Sequence, residues 1–295
     1  MKVVKVTPRG YCYGVVGAME AARRAARDPA TQRPIYIIGL IVHNTFAVEE
    51  LTKLGITTLD GPDRVSILEQ VTEGTVIFTA HGVSPDVRAR AAARGLHVID
   101  ATCPDVTRTH DLVNHLVGQG YLVLYIGKRG HPEPEGVIGE APDSVFLVET
   151  EADIPSIPQR FRTAAHLAVT TQTTLSQWDT ASLIRRLGQE FPGIEVHNEI
   201  CHATQVRQEA VASMARGAEL TLVVGDSRSN NTNRLVQVAE ELAGSHAIRL
   251  DSVADLDLSA LQGVKTVAIT SGASTPSQVT REVIQAVERA ASEAQ

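Results

Sequence analysis

Leu96-His97-Val98-Ile99-Asp100-Ala101-Thr102-Cys103-Pro104-Asp105-Val106 carries a short β-rich run into a cysteine, then into a proline that suits a first helical turn. The same succession occurs twice more: Val3-Val4-Lys5-Val6 leads towards Cys12, and Ile194-Glu195-Val196 towards Cys201. Apolar residues at helical spacing follow each cysteine: Val15, Met19, Ala22 and Ala26; Val106, Val113 and Val117; Val206, Ala210 and Met214. The cysteines are 91 and 98 residues apart in a chain of 295, so each interval is close to a third of the length. Strand, cysteine and helix recur as one unit, and that repeat decides the fold.

The correspondence extends beyond the helices. A second strand follows in each unit, at Ile35 to Leu40, Leu122 to Ile126 and Leu220 to Val224. Each runs into polar residues: Val42-His43-Asn44, Gly130-His131-Pro132-Glu133, and Ser227 through Asn233. A third strand ends in Thr79-Ala80-His81-Gly82, Thr171-Gln172-Thr173-Thr174 and Thr270-Ser271-Gly272-Ala273-Ser274, with further helical stretches such as Val279, Val283 and Val287 beyond. Alternating strands and helices imply an α/β fold of parallel βαβ-type units. Residues 14–103 are expected to form unit 1, residues 104–198 unit 2, and residues 199–295 with the N-terminal strand 1–13 unit 3. Parallel sheets bind ligands beyond the carboxyl ends of their strands. Pseudo-threefold symmetry would aim three such ends at one central cavity. The stretch from Ile154 to Arg162 reads as an internal loop, and the last residues as a fraying end.

Composition narrows the class. Net charge is −7, from 27 basic and 34 acidic residues. This argues against a nucleic-acid or anionic-membrane surface, which needs a basic face. No run of 18 or more apolar residues suggests a membrane span, and the opening residues read as a strand rather than a signal peptide. Three scattered cysteines make no disulfide framework, so a reducing cytoplasm is expected. Taken singly, each cysteine is most simply a small buried hydrophobe. Equivalent positions in three units make convergence on a metal the better reading. Zinc usually takes two ligands from one tight turn, and no such pair exists here. An iron–sulfur cluster can sit on three distant thiolates and keep one iron open.

These segments resemble the LytB/IspH-type family, the 4-hydroxy-3-methylbut-2-enyl diphosphate reductases. The resemblance lies in Pro8-Arg9-Gly10-Tyr11-Cys12-Tyr13-Gly14-Val15, Val42-His43-Asn44, Ala80-His81-Gly82-Val83-Ser84 and Asp100-Ala101-Thr102-Cys103-Pro104. It continues through Gly130-His131-Pro132-Glu133, Thr171-Gln172-Thr173-Thr174, Ile200-Cys201, Arg207-Gln208-Glu209-Ala210, Ser229 through Leu235, and Gly272-Ala273-Ser274. It implies one [4Fe-4S] cluster on Cys12, Cys103 and Cys201 with an open fourth iron. It also implies two-electron reductive dehydroxylation of the diphosphate substrate to isopentenyl and dimethylallyl diphosphates, the last step of the non-mevalonate isoprenoid pathway. A ferredoxin or flavodoxin would supply the electrons, and the enzyme would be a monomer without nucleic-acid or membrane partners.

Strand-end donors His43, His81, Ser229, Asn231 and Ser274 suit phosphate oxygens; by resemblance His131, Asn230 and Thr173 join them. Glu133 is the implied acid, relayed through Thr173, with His131 also counted as catalytic. Without the resemblance, Pro132-Glu133-Pro134-Glu135 would read as a solvated loop. Two departures from the family pattern are Lys128, where another histidine is common, and Tyr13, where a small residue is. Three rivals remain on residues alone: an aconitase-like lyase, an iron–sulfur sensor and a zinc protein.

Overall fold

The computed structural model describes residues 1–293. The chain runs β1 (Lys2–Lys5), α1 (Tyr13–Arg27), β2 (Ile35–Ile38), α2 (Thr45–Lys53), β3 (Ile56–Leu59), α3 (Arg64–Glu69), β4 (Thr75–Phe78), α4 (Pro85–Ala93) and β5 (His97–Asp100). It continues through α5 (Pro104–Gly118), β6 (Leu122–Ile126), α6 (Pro132–Ile138), β7 (Val145–Val148), α7 (Gln159–Arg162), β8 (Leu167–Thr171), α8 (Gln177–Glu190) and β9 (Glu195–Val196). The remainder is α9 (His202–Met214), β10 (Leu220–Val224), α10 (Asn230–Glu241), β11 (His246–Leu250), β12 (Thr266–Ser271) and α11 (Ser277–Glu293).

The strands form three four-stranded sheets, ordered β3-β2-β4-β5, β7-β6-β8-β9 and β11-β10-β12-β1. Every pairing is parallel. The three orders are the same permutation, with β1 taking in the third sheet the place that β5 and β9 take in the others. Its register runs from Lys2 opposite Thr266 to Lys5 opposite Ile269. The α/β class and the three like sheets agree with the expectation from sequence.

Two compact units divide the contacts. One comprises Met1–Val16, His43–Ala47 and the chain from His202 onwards; the other comprises Gly17–Val42 and Val48–Cys201. In the first, Val223, Leu235, Val238 and Val211 pack on one side of the β10–β12 sheet. Leu222, Ile269, Val283 and Val287 pack on the other. In the second, Phe78, Val76, Leu68 and Val87 form one core. Leu124, Val169, Phe161 and Leu187 form another, and Tyr125, Val123, Val113 and Val137 a third. The central strands are covered on both faces, so they read as unbroken apolar runs such as Leu220-Thr221-Leu222-Val223-Val224.

Three sequence expectations need correction. Edge strands β3, β7 and β11 carry no sequence signal: they are short and half-exposed, so neither a run nor a strict alternation marks them. The stretch Ile154 to Arg162 is not a loop. A 3₁₀ turn (Glu151–Ser156), closed by a Thr150–Asp153 capping box, leads into α7. Ile154, Ile157 and Phe161 anchor it in the core. Finally, α9 buries Ala203, Thr204, Arg207, Gln208 and Val211. It leaves Met214 exposed and Val206 and Ala210 half-buried. That buried face is largely polar, with Arg207 bonded to the Ala203 and Gly10 carbonyls, so apolar periodicity picks the wrong side. Helix α11 runs to Glu293, and of the last few residues expected to fray, those past Glu293 lie outside the described part.

Candidate active site

Each cysteine stands immediately before a helix, Cys12 before α1, Cys103 before α5 and Cys201 before α9. Cys103 is the N-cap of α5, with Pro104 in its first turn as the sequence suggests. A second shared feature could not be read from sequence. The backbone N–H of each cysteine donates to the carbonyl of a residue just beyond the third strand of the preceding sheet. Cys12 donates to Ala273, Cys103 to Ala80 and Cys201 to Thr173, each at 3.0 Å. Those carbonyls belong to, or adjoin, Ser274, His81 and Thr173. Thiol and strand-end polar residue are therefore fastened together at all three places.

The Cys12 loop is held tightly. Gly10 N–H donates to Ser271 Oγ at 2.8 Å, and its carbonyl accepts from the buried Arg207 guanidinium at 2.9 Å. Gly10 has φ +78°, and a Cβ there would come within 2.5 Å of Ser277 Oγ, so glycine is required. In the other unit, Arg108 contacts Asp105, two residues past Cys103, at 3.2 Å. It also contacts Glu199, two residues before Cys201, at 2.8 Å. One guanidinium thus draws the two cysteine-bearing segments together. Cys201 is buried and Cys12 and Cys103 are half-exposed, and none of them is in a disulfide among the described residues. As a donor set they fit an anionic iron–sulfur cluster: sulfur ligands on braced loops, each beside a helix N-terminus that favours negative charge.

Glu133 is not on a solvated loop. It lies in the first turn of α6 and is 1 % exposed. Thr173 N–H donates to its Oε1 at 2.7 Å and Thr173 Oγ to its Oε2 at 3.0 Å. Burial, as the largest influence, pushes its pKa up to about 7 against the opposing Thr173 bonds, and nearby Asp105 adds to the rise. The fully buried Tyr125 phenol beside it is pushed well up, by burial first and then by the Glu133 charge. His131 caps the same helix, its Nδ1 accepting from Glu133 N–H at 3.1 Å. In the neutral ring this leaves the proton on Nε2. The His81 ring meets that of His131 edge-on, centroids 5.3 Å apart, and its Nδ1 lies 3.3 Å from Thr79 Oγ.

In the unit containing Cys12, Ser274 Oγ donates to the His43 carbonyl at 3.1 Å and lies 3.3 Å from Ser229 Oγ. Ser229 caps α10 by accepting from Thr232 N–H. Asn230 and Asn231 open that helix, both buried. The amide oxygen and nitrogen of Asn231 have no hydrogen-bond partner, although the side chain is only 5 % exposed. An unsatisfied buried amide at a helix N-terminus is suited to an anion. The structure thus brings His43, Ser229, Asn231 and Ser274 together in one unit, and His81, His131, Glu133 and Thr173 within the other. Lys128 and Tyr13 are exposed, and the Lys128 carbonyl accepts from His131 N–H at 3.2 Å. Sequence reading missed Tyr125, which looked like one more strand residue, and Thr45, Asp226 and Arg228, whose partnership joins distant segments.

Residues 3–288 match the family described as LytB protein. The chain is 59 % identical over 289 residues to the 4-hydroxy-3-methylbut-2-enyl diphosphate reductase of Symbiobacterium thermophilum, covering 98 % of this chain and 97 % of that protein. It is 56 % identical over 289 residues to the reductase of the same name from Bacillus licheniformis, covering 98 % and 91 %. Among solved structures, the E-1-hydroxy-2-methyl-but-2-enyl-4-diphosphate reductase of Plasmodium falciparum aligns with a TM-score of 0.88 at 34 % identity, over 97 % of this chain and 87 % of that one. A structure titled (E)-4-hydroxy-3-methyl-but-2-enyl diphosphate reductase aligns with a TM-score of 0.69 at 30 % identity, over 98 % and 100 %. Fold and relatives agree: the chain belongs to the LytB protein family and is an oxidoreductase.

Proposed function

We propose that this protein reduces 4-hydroxy-3-methylbut-2-enyl diphosphate to isopentenyl and dimethylallyl diphosphates on one [4Fe-4S] cluster held by Cys12, Cys103 and Cys201. The observation that carries the reading is the threefold Cys N–H to strand-end carbonyl bond, which gives three distant thiols one setting. In this reading residues 14–103, 104–198 and 199–295 with 1–13 are three lobes, each contributing a like strand end to a common centre. The cluster supplies electrons and a Lewis-acidic iron when bound.

The rest of the work falls to side chains. His43, His81, His131, Ser229, Asn230, Asn231 and Ser274 would bind the diphosphate, with Asn231 gaining the partners it lacks in the protein alone. Glu133 would hold a proton near neutral pH and pass it, through Thr173, to the departing hydroxyl oxygen. The balance is two electrons and two protons: one proton leaves with the hydroxyl as water, the other joins the carbon skeleton. The electrons come from a one-electron carrier of the ferredoxin or flavodoxin class. Among the described residues no helix is long and apolar enough to cross a membrane.

The test is anaerobic purification followed by iron, sulfide and zinc analysis, then assay with and without reductant. Iron and sulfide with strictly reductant-dependent product support the reading. Zinc, or product without added electrons, ends it. His43→Ala and Ser274→Ala are each expected to weaken substrate binding roughly tenfold, the loss of one charge-assisted hydrogen bond. Iron content should stay unchanged. Titration calorimetry on the loaded protein measures this, and unchanged affinity in both variants removes the two residues from the site.

A further inference from the structure

Asp226 is 6 % exposed, yet its carboxylate is ionised and saturated. Its Oδ1 accepts from Arg228 N–H and Nε, both at 2.9 Å. Its Oδ2 accepts from Arg228 Nη2 at 2.7 Å. The same oxygen accepts from Thr45 N–H at 3.1 Å and Thr45 Oγ at 2.9 Å. Arg228 Nη2 closes the ring on Thr45 Oγ at 2.8 Å. The Arg228 bonds hold the Asp226 carboxyl well below the usual carboxylate range despite its burial.

The position of this ring gives it a use. Thr45 is two residues past His43, and its helix entry is also capped by Asn44, which accepts from Ala47 N–H at 3.2 Å. Arg228 immediately precedes Ser229. The ring ties together two segments 181 residues apart in sequence, both carrying residues assigned above to the diphosphate. Ser274 also bridges the same pair, at the His43 carbonyl and the Ser229 hydroxyl. A buried carboxylate beside an anion site is costly by itself, since it repels the ligand. Arg228 removes that repulsion without pointing a free positive charge at the ligand.

We infer that Asp226 and Arg228 are a positioning pair for the anion site: the carboxylate pegs the His43 and Ser229 segments in register, and the guanidinium cancels the charge that this peg brings. The inference rests on the reading of those segments as diphosphate-binding. It makes Arg228 matter through Asp226 rather than through the ligand, which sets a sign that a purely structural role does not share.

The experiment measures inorganic diphosphate binding by calorimetry to anaerobically purified, iron-loaded protein. Arg228→Ala should raise the dissociation constant roughly tenfold or more, because a buried anion is left uncompensated near the site. The double variant Asp226→Asn/Arg228→Ala should bind diphosphate more tightly than Arg228→Ala, since the offending charge has gone although more hydrogen bonds are missing. If Arg228→Ala does not accumulate as folded protein, Arg228→Gln, which keeps a donor without the charge, gives the same comparison. Wild-type affinity in the single variant, or a double variant no better than the single, overturns the proposal. Failure of the unaltered protein to bind diphosphate overturns the reading of the site itself, and the pair with it.

Discussion

In the Glu133→Gln variant, turnover falls by roughly 100- to 10,000-fold, the range for losing a positioned general acid, while iron content and diphosphate affinity stay at the wild-type level. Glutamine keeps the shape and can still accept from Thr173 N–H, so the change isolates the proton. The pH dependence has a fixed sign. With its pKa pushed up to about 7, Glu133 carries its proton below that value and loses it above, so wild-type turnover declines as pH rises through 7. The variant lacks that inflection. Stability moves in the same window. A carboxyl whose folded pKa is raised above its ordinary 4.5 contributes stability in acid that is lost as pH climbs from 4.5 through about 7. The loss is roughly 3 kcal/mol when complete. Thermal unfolding should therefore show the glutamine variant gaining on the wild type between pH 5 and pH 8. Glu135 is the control: exposed, two residues on, and bonded to Arg64 N–H at 2.9 Å. Its replacement by glutamine leaves turnover within about twofold, as for a surface substitution. Full activity in Glu133→Gln would falsify its role as the acid.

Cys201→Ser abolishes tight iron retention and lowers activity by roughly 100-fold or more. Loss of a mere outer-shell partner already costs about 10- to 100-fold in metal affinity, and a ligand is worth at least that. Serine fills nearly the same volume, and the Cys201 backbone bond to Thr173 does not depend on the side chain. The fold should therefore survive with an unchanged far-ultraviolet spectrum. Cys12→Ser and Cys103→Ser should behave alike, because the three positions share one setting. Iron and sulfide analysis of anaerobic preparations decides it. A variant that holds a full cluster would show that its sulfur is not a ligand.

The repeat was legible because central parallel strands are apolar from end to end, as in Leu122-Val123-Leu124-Tyr125-Ile126, and because Pro104 after Cys103 announces a helix start. Edge strands such as Ile56–Leu59 were not, since half-exposed strands four residues long leave no period to detect. The face of α9 was misread for a related reason: Arg207 is buried by its bonds to the Gly10 and Ala203 carbonyls, not by apolarity. Glu133 was named only through the family resemblance. Its physical character depends on Thr173 and on its 1 % exposure, which no local pattern encodes. The Asp226 ring is invisible for the same cause, because Thr45 lies 181 residues from Asp226.

That β1 pairs with β12 has a bearing on biogenesis. The loop carrying Cys12 is fixed by Ser271, 261 residues downstream of Gly10, and by Ala273. During translation the Cys12 loop therefore emerges well before the residues that seat it, since Ser271 and Ala273 are made much later. Closing so long a loop is also the slowest kind of contact to form. Any binding that needs a seated Cys12 loop thus waits until the chain has been made through Ala273.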